Sequence, residues 1–372
     1  MLRIALVSDT TVRDLVHPLT GVLAEQGVQP EFSVVEGEAV ADLADAVYPT
    51  SPELTILILH ARELAPELFR ARTLLSPVGE RVAICDRVSE ALVSQVRAIR
   101  AATGAPVLVA DFPVPVHSPL GIQDASVELG LRACIRRIND ALEDAARGLS
   151  GVTVFARSAA AARLGANHVE PADRWRVGRE ESAGLLYAWA RELGRHVSAL
   201  RDANRTVLVL DLDNTLWGGA AGREVVLGPS GAGRPWYDFQ QVCLDLWERG
   251  VLLAIAAKGD RRAAMSVLRS HPHALLREQH FSAIIIGEED KATACLKIAG
   301  QLGVGLNKLA LFEDNPVERE WVSQALPEVE VIPVPRDPAR YTRALAATSA
   351  FEAVTPSLPN PRVVALDRRA AA

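Results

Sequence analysis

Short apolar runs recur along this chain, each ending in a polar or turn residue, with longer amphipathic stretches between them. In the first half, Leu2–Ser8, Glu31–Val35, Leu54–His60, Pro106–Asp111 and Val152–Phe155 read as strands, and Arg81–Cys85 as a further short one. The segments Val12–Gln26 (closed by Gly27), Ser89–Thr103, Ala125–Leu149 and Glu181–Asp202 carry helical spacing; in the last, Leu185, Leu186, Trp189, Leu193 and Val197 form the apolar stripe. The second half repeats the rhythm, with strands expected at Val207–Asp211, Val251–Ala256, Ala283–Ile286, Lys308–Phe312 and Glu328–Ile332. Its helices are expected at Tyr237–Glu248, Arg261–Ser270, Ala292–Leu302, Pro316–Ala325 and Asp337–Ala346. Strand–helix alternation of this kind predicts an α/β protein with doubly wound parallel sheets, helices covering both faces. The polar, turn-prone Asp202–Arg205 is the expected boundary between two domains, 1–202 and 203–355, followed by a proline-bearing tail, 356–372. Only Leu212–Gly250 separates the first two strands of the second domain, which leaves no room for a large cap domain.

Composition narrows the function classes. A length of 372 residues suits two domains. A net charge of −6, with arginines scattered among acids, argues against nucleic acid as the main partner. No stretch approaches the ~20 apolar residues of a membrane helix, and Asp9 interrupts the first apolar run so early that MLRIALVSDT reads as a strand rather than a leader. The four cysteines (Cys85, Cys134, Cys243, Cys295) are widely spaced and form no CxxC, the pattern of a reduced, cytoplasmic protein.

The chemistry concentrates in VLVLDLDNTLWGG, Val207–Gly219. An apolar run ends in Asp211, with Asp213 two places on and Thr215 behind it, at the carboxyl end of a strand, where open α/β sheets bind ligands. The period of two predicts that Asp211 and Asp213 face one site, and two adjacent carboxylates call for a cation or a shared proton. Mg²⁺ suits such a site, because it takes carboxylates together with phosphate oxygens. Three later strand ends supply matching groups: Lys258 and Asp260 in AAKGD; Lys291 after the acidic run Glu288–Asp290; and Glu313, Asp314 and Asn315. An acidic nucleophile, further acids for a metal and a lysine to neutralise phosphate charge make a phosphoryl-transfer set. Trp217 either lines the substrate pocket or packs in the core.

These segments, DLDNTLWGG (211–219), RGVLLAIAAKGD (249–260), DK (290–291), FEDNPVERE (312–320) and LPEVEVIPVPRDPARY (326–341), resemble the haloacid dehalogenase superfamily, and within it the FkbH-like branch. The resemblance extends to the first half, where LVSDTT and NDALEDAA look like that branch's N-terminal region of SGNH-hydrolase type. It implies two Rossmann-like domains, the second of haloacid-dehalogenase type. It also implies that a glyceryl unit is taken from 1,3-bisphosphoglycerate, dephosphorylated and loaded on an acyl carrier protein for polyketide or related antibiotic biosynthesis. Carried over residue by residue, Asp211 is the nucleophile, Asp213 the general acid/base, and Lys291 the group that stabilises the phosphoaspartate. Thr215, Trp217 and Lys258 are substrate- or phosphate-side residues. Asp211, Asp314 and the Asp213 backbone carbonyl hold Mg²⁺.

The chain departs from the family pattern at several positions. Ala256 and Ala257 stand where the branch has the cysteine that carries the acyl thioester and a serine that binds phosphate, and Glu313 stands for an aspartate. An alanine can neither attack an acyl phosphate nor donate a hydrogen bond. The residues therefore leave open a different acyl or phosphoryl transferase on the same scaffold, or a non-catalytic carrier-docking protein. Cys243 reads as a core residue with a substitute nucleophile as the alternative. Ser8 and Asp9 close the first strand where a hydrolase of that N-terminal type keeps its serine, but they read rather as helix-capping residues. The partners on offer for such a serine are Asn167 and His168, or His196, which sits deep in a helical pattern; His117 reads as a loop residue.

Overall fold

A computed structural model describes residues 1–37, 43–165, 181–201 and 203–354. The chain forms two compact units, Met1–Val197 and Ser198–Ala372, divided inside the helix Ala183–Leu200, a few residues before Asp202–Arg205.

The first unit is built on strands β1 (Leu2–Ser8), β2 (Pro30–Glu36), β3 (Leu54–Ile58), β4 (Val107–Ala110) and β5 (Val152–Phe155), all parallel, in the order β2-β1-β3-β4-β5. The fully buried runs of β3 and β4 explain why they read as continuous apolar stretches rather than alternating ones. One expectation fails here. Arg81–Cys85 is not a strand but part of the helix Val78–Thr103, whose buried positions Arg81, Cys85, Val88, Ser89, Leu92, Val96 and Ile99 follow the helical period. The long helix expected from Ala125 starts only at Leu131. Before it, Leu129 has a φ of 53°, Gly130 lies so close to the Asp124 carbonyl that a Cβ would sit 2.3 Å from it, and the Asp124 carboxylate receives the Leu131 amide at 2.8 Å. The short helix Arg157–Leu164 after β5 had no signal in the hydrophobic pattern.

The second unit carries β6 (Val207–Leu210), β9 (Leu252–Lys258), β10 (Phe281–Gly287), β11 (Leu309–Phe312) and β12 (Glu330–Val331) in a parallel sheet ordered β10-β9-β6-β11-β12. A small antiparallel hairpin, β7 (Gly218–Gly219) with β8 (Val225–Val226), follows β6. No cap domain is inserted between β6 and β9: that stretch holds the hairpin and the helix Arg234–Glu248. One core cluster packs Trp217, Phe239 and Trp247 against one face of this sheet; another packs Cys295, Ile298 and Val322 against the opposite strand residues. Among the described residues, no helix is long and apolar enough to cross a membrane.

Candidate active site

Strand register sets the positions in the second unit. Leu210 at the end of β6 pairs with Phe312 of β11 on one side and Ile255 of β9 on the other, so Asp211, Glu313 and Ala256 emerge side by side at the carboxyl edge. The strand order reverses between β6 and β11, the point where a doubly wound sheet opens a crevice for ligands. The helix Lys291–Leu302 starts after β10 with Asp290 as its cap, the Asp290 carboxylate accepting the Thr293 amide at 3.0 Å. Its first residue, Lys291, sends its ammonium inward: the group is buried, donates to Asp211 Oδ1 and to the Ala256 carbonyl (2.5 Å), and pairs with Glu313 Oε2 at 2.6 Å.

Asp211, Glu313 and Asp314 form a cluster whose nearest carboxylate oxygens all lie within 4.8 Å of one another. Burial pushes the Asp211 carboxyl up to about 7; Lys291 pulls it down, and Glu313 and Asp314 push it further up. Burial likewise raises Glu313, with Lys291 opposing, and raises Asp314, with the Thr215 hydroxyl opposing. For Lys291 itself burial disfavours the charged form, but Asp211 and Glu313 outweigh it and hold the ammonium charged. Three carboxylates against one ammonium leave an excess of buried negative charge, and hard oxygen donors this close fit a divalent cation.

The expected site residues divide. Asp211, Lys291 and Asp314 come together at the carboxyl end of the sheet. Thr215 is fully buried and donates to Asp314 Oδ1 at 3.3 Å, so its hydroxyl orients an acid. Asp213 does not share the face of Asp211. β6 ends at Leu210, the chain turns so that the Thr215 and Leu216 amides donate to the Leu212 carbonyl, and Asn214 takes a φ of 58°. The Asp213 carboxylate therefore lies outside the three-acid cluster, and its Oδ1 accepts from Trp217 Nε1 (2.8 Å) and the Ala221 amide (2.9 Å). Trp217 is 0% exposed and belongs to the core, so it does not line a pocket. Lys258, at the end of β9, pairs with Glu318 at 2.5 Å and is half-exposed. Cys243 is a core residue whose thiol is pushed up by burial, and burial raises Cys295 to about 12. Glu313 was legible only as an acid next to Asp314; its place beside Asp211, with the Lys291 ammonium against both, comes from the pairing of β6 with β11.

The first unit carries a second polar cluster, also at a reversal of strand order, between β1 and β3. His60 Nδ1 meets Asp9 Oδ1 at 2.7 Å and Thr10 Oγ1 at 3.1 Å, its backbone amide donates to Asp9 Oδ2 at 2.9 Å, and its Nε2 meets Glu181 Oε1 at 3.0 Å. Burial disfavours the His60 cation, but Asp9 and Glu181 outweigh it and raise the group, while Arg157 opposes them. Burial would raise Glu181, yet His60 and Arg157 bring it down to about 2. Ser8 is buried and its hydroxyl receives the Thr10 amide at 3.2 Å. Asp9 is thus a partner of His60 rather than a helix cap. His60 escaped the sequence reading; the available signal was that it is the first polar residue after the apolar run of β3. His196 bonds the Glu192 carbonyl within its own helix, His117 is exposed, and Asn167 and His168 lie outside the described residues.

No family model matches the chain, and no curated protein does. Among solved structures, the chain is similar to the N-terminal part of the protein BF1531 from Bacteroides fragilis, containing a phosphatase domain and complexed with Mg. The TM-score is 0.82 at 21% identity, over 95% of this chain and 94% of that one. A solute-binding protein of an ABC transporter from Agrobacterium vitis (12% identity, 72% of this chain and 80% of that one) reaches a TM-score of only 0.20. The glucose-galactose binding protein GanP from Geobacillus stearothermophilus (11%, 96% and 95%) reaches 0.19. The likeness to the first of these supports the fold: two α/β units, each built on a parallel five-stranded sheet.

Proposed function

We propose that the second unit is a Mg²⁺-dependent phosphatase of haloacid-dehalogenase type that acts on a phosphorylated three-carbon acyl unit, free or carried on an acyl carrier protein. The carrying observation is Asp211 at the strand-order reversal, held by Lys291 and flanked by Glu313 and Asp314. The Mg in the structure of the similar protein supports the choice of cation. Asp211, Glu313 and Asp314 would hold it, with the Asp213 carbonyl as the resemblance suggests, and when bound it supplies charge neutralisation at the phosphoryl oxygens.

The residues of this chain do the rest. An Asp211 carboxylate oxygen attacks phosphorus; the bond from phosphorus to the leaving oxygen breaks, and Asp213 gives that oxygen a proton. Water then attacks the aspartyl phosphate, Asp213 takes the water's proton back, and inorganic phosphate leaves with Asp211 restored. Lys291 offsets negative charge on Asp211 in both steps. Lys258 at the end of β9, once released from Glu318, supplies a cation for an anionic substrate group where Ala257 stands in the serine's position.

Acyl transfer through a cysteine of this chain has no support at Ala256, and Cys243 and Cys295 are buried thiols with raised pKa. A carrier-borne substrate keeps the phosphatase step without a thioester on this protein. The test is phosphate release from 1,3-bisphosphoglycerate and from a phosphoglyceryl carrier protein, with and without Mg²⁺. The Asp211→Asn variant should lose at least a thousandfold in rate; full activity in that variant would refute the mechanism.

A further inference from the structure

The Asp213 carboxylate is held from one side only. Both donors that reach it end on the same oxygen: Trp217 Nε1 and the Ala221 amide donate to Oδ1, while Oδ2 has no partner among the described residues. The donors come from the segment that begins the hairpin, and an isolated bridge pairs Asp213 with Trp217. Trp217 cannot swing away. Its ring is fully buried in the core cluster that also holds Leu212, Leu216, Phe239 and Cys243, and the next residue, Gly218, lies against Trp236, whose ring atoms would be 2.5 Å from any Cβ there.

A carboxylate whose rotation is fixed by two N–H donors on one oxygen presents the other oxygen in a constant direction. We propose that Trp217 is a positioning residue for proton transfer: its indole N–H, with the Ala221 amide, occupies Oδ1 of Asp213 and leaves Oδ2 as the atom that gives and takes the proton. This rests on the phosphatase reading above. It gives the hairpin after β6 a catalytic purpose, since the segment that begins it also aims the acid. The indole N–H is a donor only, so it cannot compete for the proton it directs.

The test separates the N–H from the ring. Trp217 is replaced by benzothienylalanine, which keeps the bicyclic shape and has sulfur in place of N–H, and in parallel by phenylalanine (Trp217→Phe). Phosphate release is measured with p-nitrophenyl phosphate, whose leaving group needs no proton, and with glycerol 3-phosphate, whose alkoxide does. A misdirected acid lowers kcat for glycerol 3-phosphate about tenfold more than for p-nitrophenyl phosphate, with KM for both unchanged. An equal fall on both substrates, or a rise in KM alone, overturns the proposal, because packing and binding do not distinguish leaving groups. A second measurement is independent of turnover: the indole N–H resonance of Trp217 should move in Asp213→Asn, and an unmoved resonance overturns the proposal even if the replacements fold poorly. A wild-type protein that releases no phosphate from any of these substrates, while the resonance does move, removes the phosphatase reading and the proton role with it, leaving a hydrogen bond without catalytic use.

Discussion

The two units place polar clusters at the same kind of location and balance them in opposite ways. In the first, the order β2-β1-β3-β4-β5 reverses between β1 and β3, and Asp9, His60 and Glu181 meet there as acid, base, acid. In the second, the order β10-β9-β6-β11-β12 reverses between β6 and β11, and three acids meet one lysine. The His60 cluster satisfies itself: each ring nitrogen already faces a carboxylate. The Asp211 cluster is left with more buried negative charge than Lys291 can match, so it calls for a partner from outside. The same architecture therefore carries a self-paired network in one unit, with Arg157 as a second cation beside His60 and Glu181, and in the other an acidic cluster with Lys291 as its cation among the described residues.

The comparison breaks most readily at Lys291. Lys291→Met removes the only cation found against Asp211 and Glu313 among the described residues and should destabilise the second unit by about 3–5 kcal/mol in the absence of metal. Added Mg²⁺ should restore a large part of that loss, which chemical unfolding with and without the ion would measure. If the variant were as stable as wild type without metal, the imbalance described for this site would be wrong.

The next effect concerns His60. Its pKa is raised above the ordinary 6.5, so its contribution is fully present below that value and is lost as pH rises through the folded-state pKa. His60→Gln should therefore cost about 1–3 kcal/mol near pH 5.5, and less as the pH rises past the folded-state value. Unfolding curves of both proteins across that range would show the gap narrowing; a gap that widened with pH would show that the imidazole is held neutral. The smallest effect is expected at the Lys258–Glu318 pair. Lys258 is half-exposed, so Lys258→Ala should change stability by less than about 1 kcal/mol, and thermal unfolding would detect anything larger.

Much of this was legible in the sequence where a buried run meets a polar residue. The strands leading to Asp211 and Glu313 carry uninterrupted apolar residues, and Asp290 and Asn315 cap helices whose starts are marked by side chains that accept backbone amides. What escaped needed contacts across strands or departures from periodicity. The apolar run VAIC within Arg81–Cys85 fits a strand or a helix equally, and the longer stripe through Ile99 settles it. A period of two predicted Asp213 beside Asp211, but the strand stops at Leu210, before either aspartate, so the period does not apply to them. Trp217 looked equally suited to pocket and core, since no local pattern shows that an indole N–H will turn back to an acid four residues earlier.

Asn214, in its left-handed conformation, gives one carbonyl to two distant donors, Trp236 Nε1 and Tyr341 hydroxyl, each at 3.1 Å. Tyr341 lies 127 residues further along the chain. At ~5–20 residues per second of synthesis, the turn just past the acid Asp213 spends on the order of ten seconds with one of its two ties still unmade. The nucleophile's own strand is thus among the first parts of this unit to leave the ribosome, while the geometry around it is among the last to be completed.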